Sequence, residues 1–334
     1  MRTGLVLGAG GILGSAWMAG ALSALAPRLD RPLGELDLVL GTSAGSVLGA
    51  ALRCGMSVDE LLAHQHGMAP AEIAADLDTD LPDARTLERE SGDGLPPIPC
   101  PWMGSPRLLA SAMMHPGSID PVVAASALLP VGRARMGSLV RMVAALQTRI
   151  GVTTDGWVPG PPLWIAAVDY DSGQRVVFGC DGAPQSSVGE AVLASCSIPG
   201  WFTPQRIGGR RYVDGGVASS TSVGVLAASG APELDEVYVL APMASHAYDR
   251  PRDPLAVAER GMRRMLTRWL DAEVAELRAV GTRVTVLTPG PADLAAMGGN
   301  LMNPRRRDRV VEVSLETSAV ALDTPTTDTG SSAA

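Results

Sequence analysis

Two strand, glycine-turn, helix units in succession constrain this chain more than anything else in it. Leu5-Val6-Leu7 is a short apolar run that breaks at Gly8-Ala9-Gly10-Gly11-Ile12-Leu13-Gly14, and residues 15–26 then read as an Ala- and Leu-rich helix. The unit recurs: residues 36–40 form a second apolar strand, 41–45 a tight turn, and 46–54 a helix of small residues. Strands that alternate with helices in this way predict an α/β fold with a parallel sheet.

At 334 residues the chain has room for two domains or for one large α/β domain with an insertion. We read a single domain over residues 1–320 with a lid-like or variable insertion at 68–160. There the periodicity loosens: residues 92–106 hold five prolines, and Met103, Met113, Met114, Met136 and Met142 add flexible apolar bulk. Strand patterns resume at 163–169 and 175–178, followed by a helix near 188–195, a turn-rich stretch at 208–216 and a strand at 237–241. Residues 255–280 are the longest helical pattern, 284–287 a last strand, and helical stretches follow at 292–297 and from Val310. Residues 321–334, mostly Thr, Ser, Gly and Ala, are expected to be a disordered tail.

Composition removes several function classes. All 27 basic residues are Arg, so a Schiff-base lysine, a pyridoxal phosphate enzyme and a P-loop lysine are excluded. A net charge of -8 speaks against nucleic acid as a partner, because phosphate neutralisation needs an excess of basic side chains. Cys54, Cys100, Cys180 and Cys196 are spaced like neither a zinc site nor a small disulfide framework, which suggests a reducing compartment and no metal. The N-terminus lacks the uninterrupted apolar core of a signal peptide, and no stretch reaches the ~18 apolar residues of a membrane span. The expected location is cytoplasmic.

Gly41-Thr42-Ser43-Ala44-Gly45 fits G-x-S-x-G between a predicted strand and a predicted helix, the context of a nucleophile elbow with Ser43 exposed above the sheet. The first glycine loop admits three readings. A dinucleotide fingerprint starting at Gly8 meets Leu13 where its third glycine belongs, and only Asp30 stands near the position of the ribose carboxylate. The second reading is structural punctuation. The third, which the neighbouring elbow favours, is an oxyanion hole built from backbone N–H groups. To activate Ser43, a triad in α/β-hydrolase order has His246 as its sole downstream histidine. The alternative base is a carboxylate, and Val213-Asp214-Gly215-Gly216 offers Asp214 at the end of a strand pattern.

Taken together, residues 9–14, residues 41–45, the run Ala194-Ser195-Cys196-Ser197-Ile198-Pro199-Gly200-Trp201-Phe202-Thr203-Pro204, and Asp214-Gly215-Gly216 resemble the four blocks of the patatin-like phospholipases, in the family's order. The resemblance implies a three-layer α/β/α fold with a mainly parallel central sheet and lipid acyl esters as substrates, with no cofactor and no metal. It also implies Ser43 as nucleophile, Asp214 as its base and the amides of Gly10, Gly11 and Ile12 as oxyanion donors, with Gly8, Ala9, Gly14, Gly41, Gly45, Gly215 and Gly216 supporting the motifs. Two positions depart from the pattern: Ala9 replaces the family's first glycine, and Leu13 stands where a basic residue is usual.

For a lipid substrate, the insertion at 68–160 is a candidate wall for an acyl chain. Arg260, Arg264 and Arg268 recur every four residues among Met262, Met265, Leu266, Trp269 and Leu270, so helix 258–277 is a candidate for peripheral contact with the inner face of the membrane. A non-catalytic lipid-binding regulator and a nucleotide-binding oxidoreductase are the rival readings.

Overall fold

Near-continuous apolar runs along the central strands produce a sheet with two buried faces. The computed structural model describes residues 1–68, 100, 102–115, 117–228, 230–247, 251 and 254–323. Its strands are β1 (Thr3–Leu7), β2 (Leu38–Thr42), β3 (Leu163–Asp169), β4 (Arg175–Phe178), β5 (Gln205–Ile207), β6 (Arg210–Asp214), β7 (Glu236–Leu240) and β8 (Arg283–Leu287). They form one sheet in the order β5-β6-β3-β2-β1-β7-β8, with β4 pairing to β3. β3, β2, β1, β7 and β8 run parallel, while β4, β6 and β5 join through antiparallel pairs. The sheet is thus mixed, with a parallel centre.

Because successive side chains point to opposite faces, Leu5, Leu7, Val39 and Ile165 belong to one core and Val6, Leu38, Leu40 and Val239 to another. The first core is closed by helices α1 (Gly11–Leu25), α2 (Ala44–Arg53), α6 (Gly137–Arg149), α7 (Val188–Cys196) and α10 (Arg307–Asp323). The second lies under α8 (Pro254–Ala279) and the turn Val223–Ala227. Helices on both faces make three layers. Burying each such Leu or Val contributes about 1.5–3 kcal/mol, which is what holds the layers together. Among the described residues no helix is long and apolar enough to cross a membrane.

The remaining helices are α3 (Val58–Gln65), α4 (Pro106–Met114), α5 (Pro121–Ser126) and α9 (Pro291–Met297). Of the expected insertion, residues 69–99 lie outside the described residues. The described part divides in two. Leu108, Val123 and Ala127 make a small core against Val168, Tyr170 and Val213 at the antiparallel end of the sheet. Helix α6 instead buries Leu139, Met142, Val143 and Leu146 in the main core, so Met142 is a packing residue. At the other end, α10 runs through residues 321–323, where Arg28 bonds the Leu322 carbonyl and Asp323; residues 324–334 lie outside the described residues.

Candidate active site

The register of β3 assembles the site. β2 pairs with residues 163–166 of β3, β4 with 165–168 and β6 with 167–169. Since β4 overlaps both of the others, β2 and β6 must share the opposite edge, where they meet end to end. Thr42 pairs with Ala166, and Asp214 pairs with the next residue, Ala167. Ser43, the residue after β2, and Asp214, the last of β6, are therefore neighbours although far apart in sequence.

The turn after β2 is tighter than the sequence suggested. Gly41 and Thr42 belong to the strand and α2 starts at Ala44, so the chain reverses on Ser43 alone, with φ 53° and ψ −120°. Few L-residues hold such angles, at a cost on the order of 1–3 kcal/mol. Local bonds retain it: the Ser43 N–H donates to Ser195 Oγ at 2.8 Å, and its carbonyl accepts from Ser46 N–H at 2.8 Å and Ser46 Oγ at 2.7 Å. Gly45 is needed because a side chain there would collide with the Leu7 carbonyl, where α2 crosses β1.

Asp214 is 5% exposed. Burial raises its carboxyl from 3.8 to about 6, while hydrogen bonds from the Ser43 hydroxyl and the Gly216 N–H pull the other way. The Gly216 bond measures 2.7 Å to Oδ1 and fixes the carboxylate plane. Behind the pair, the Cys196 thiol lies 3.8 Å from Ser46 Oγ and is raised well above the thiol range by burial and by the Asp214 charge. It is a neutral packing group.

The first glycine loop leaves β1 beside the elbow, since Leu7 pairs with Gly41. Helix α1 begins inside the glycine run, at Gly11, whose φ of +60° suits glycine. The amides of Gly8, Ala9, Leu13 and Gly14 are spent on the carbonyls of Leu240, Ser220, Leu301 and Gly10. Among the described residues no carbonyl takes up those of Gly10, Gly11 or Ile12, which lie at the N-terminus of a helix of 15 residues. Ala9 packs toward Gly216, where a Cβ would stand 3.2 Å from the Ala9 methyl, so loop and carboxylate turn are in contact. Leu13 is fully buried in the main core.

Other candidates fall elsewhere. His246 Nε2 meets Asp271 Oδ1 at 2.9 Å in a pair whose side chains are 56% and 54% exposed, a surface contact. Asp30 is solvent-exposed beside Arg31. Among the described residues no cluster of three His, Cys, Asp or Glu could hold a metal. Of the arginines on helix 258–277, Arg264 and Arg268 are exposed but Arg260 is buried against Glu259. The reason is an internal role: Glu259 also pairs with buried Arg263, which donates to the Pro242 carbonyl at 2.5 Å and the Ala244 carbonyl at 3.1 Å. The Pro242 ring in turn occupies the space beside Gly10, 2.8 Å from where a Cβ would be, so this ion cluster braces the glycine loop.

Sequence reasoning missed Ser195. Its Oγ accepts from Ser43 N–H and donates to the Ala166 carbonyl at 2.6 Å, tying the strained turn to β3. Its place in the run 194–204 was the one available signal. Replacing Ser195 by Ala leaves a buried N–H unpaired, at a cost of about 1–3 kcal/mol. Thermal unfolding should show a lowered Tm, and ester turnover should drop about tenfold or more with KM little changed; an unaltered kcat would mean that the elbow holds without this bond.

The class these features define is a three-layer α/β/α protein with a mixed sheet, in which a strained serine and a buried carboxylate meet at two strand ends. More narrowly, the chain belongs to the patatin-like phospholipase family, whose model matches residues 5–227. Among solved structures it is similar to VipD from Legionella pneumophila, at 15% identity and TM-score 0.44, over 96% of this chain and 67% of that one. It is also similar to ExoU of the Pseudomonas aeruginosa type III secretion system, solved in complex with SpcU, at 19% identity and TM-score 0.34, over 95% of this chain and 52% of that one. The chain thus spans about two thirds of the first protein and half of the second.

Proposed function

We propose that the protein hydrolyses carboxylic esters of lipids through an acyl-enzyme formed on Ser43. The observation that carries this reading is the meeting of two strand ends on adjacent residues of β3, which sets Ser43, held at φ 53° on its turn, next to the buried Asp214 carboxyl. Asp214 accepts the hydroxyl proton as Oγ attacks the ester carbonyl and returns it to the leaving alcohol, and water then releases the acyl group. The amides of Gly10, Gly11 and Ile12 receive the developing oxyanion. Losing one such donor typically costs about 3 kcal/mol of transition-state stabilisation.

A fluorophosphonate probe and a series of p-nitrophenyl esters of increasing chain length test this together. The expected result is stoichiometric labelling that mass spectrometry maps to Ser43, with hydrolysis that improves from short to longer acyl chains. Lipid binding with neither labelling nor turnover would instead favour a non-catalytic lipid-binding protein.

A further inference from the structure

Three stretches of backbone lie side by side next to the site. Val131 N–H bonds the Trp102 carbonyl at 3.0 Å and Gly104 N–H the Leu129 carbonyl at 2.8 Å, while Ala134 N–H bonds the Trp201 carbonyl at 3.1 Å and Thr203 N–H the Ala134 carbonyl at 3.2 Å. The last stretch leads into the site, because Asp214 N–H bonds the Ser197 carbonyl at 3.0 Å. Large apolar side chains stand out to solvent on the first two: Trp102 is 77% exposed, Leu128 58%, Leu129 44% and Met103 41%. Large exposed apolar side chains gathered on neighbouring backbone in this way mark an interaction surface.

Charge identifies what the surface meets. The protein carries -8, yet residues 100–150 hold five arginines and a single acidic residue, Asp120; of these, Arg107 and Arg149 meet Asp171 and Glu60 from other elements. Arg133 and Arg135 lie in the middle stretch itself and are exposed, and no carboxylate among the described residues pairs with either. Unpaired arginines around exposed aromatic and aliphatic groups match a surface that is anionic at its headgroups and apolar beneath. Helix α8 also exposes Met262 with Arg264 and Arg268, but there Asp271 and Glu276 add two exposed acidic residues to the same helix.

We infer that this surface seats the protein on an anionic lipid bilayer, with Trp102, Met103, Leu128 and Leu129 at the headgroup and acyl boundary and Arg133 and Arg135 against the phosphates. The inference rests on the lipid-ester reading of the neighbouring site. Seating here places the stretch that leads to Ser197 and Asp214 on the membrane side.

The test is co-sedimentation of the full chain with vesicles of phosphatidylcholine, with and without phosphatidylglycerol, alongside hydrolysis of soluble p-nitrophenyl butyrate. An arginine near an anionic surface is worth about a fivefold change in partition, so the double variant Arg133→Gln, Arg135→Gln should bind anionic vesicles about 30-fold more weakly. Raising the salt should shrink that difference. The double variant Trp102→Ala, Leu128→Ala should lose binding to both vesicle types. Both pairs are surface substitutions and should keep the wild-type Tm and butyrate turnover. Wild-type vesicle binding by both variants would overturn the inference, as would a self-association of the wild type that Trp102→Ala abolishes, since the occupant would then be a second copy. Loss of vesicle binding in the variants of a protein that hydrolyses no ester would uphold the surface and refute the hydrolase reading alone.

Discussion

Ser43→Ala is expected to reduce ester turnover at least 10⁴-fold and to abolish fluorophosphonate labelling, because it removes the hydroxyl that stands on the strained turn beside Asp214. The fold should survive, since Ser43 contributes bonds chiefly through its backbone N–H and carbonyl, which Ala retains. A companion variant separates chemistry from strain. At φ 53° and ψ −120°, Ser43→Gly relieves a conformation that L-residues resist, so it should be as inactive as Ser43→Ala but unfold at a higher temperature, by about 1 kcal/mol or more. Residual activity above a thousandth of wild type in either variant would remove Ser43 from the reaction. Equal Tm values for the three proteins would mean that the turn stores no strain.

How much of this was legible in the sequence depends on the range of the interaction. β1, β2 and the helices after them are written in local patterns of apolar runs and glycines, and β3 and β4 were placed to the residue. The tightness of the elbow was not, because G-x-S-x-G does not say that Gly41 still pairs with Leu7 in the sheet. β5 escaped notice because a strand of three residues, Gln205–Ile207, has no periodicity to read. The pairing of Ser43 with Asp214 was implied by the family resemblance, whereas the physical cause of their nearness, two strands sharing one edge of β3, exists only in the register. Helix α8 shows the reverse failure. Its arginines at four-residue spacing suggested a basic face, yet Arg260 lies inside, where its charge is answered by Glu259 on the same helix and its guanidinium also bonds the Leu294 carbonyl at 3.1 Å.

Asp214→Asn is expected to remove turnover as completely as Ser43→Ala while making the protein more stable at neutral pH. An asparagine still accepts the Gly216 N–H but cannot take the Ser43 proton, so attack loses its base. The stability gain follows from burial. A carboxyl held at about 6 instead of 3.8 binds its proton more tightly in the folded state, so the native protein carries more protons than the unfolded chain between those values. Stability therefore falls as pH rises from about 4 through 6, and above 6 the buried charge costs on the order of 3 kcal/mol. Asn never ionises, so the difference in Tm between Asp214→Asn and wild type should be largest above pH 7 and shrink toward pH 4. The same titration governs catalysis with the opposite sign: kcat/KM of the wild type should rise with pH through about 6 as the base ionises. His246→Ala should leave both profiles unchanged, because that ring pairs with Asp271 at the surface. Normal turnover in Asp214→Asn, or a loss in His246→Ala as large as that in Ser43→Ala, would move the proton transfer away from the carboxylate.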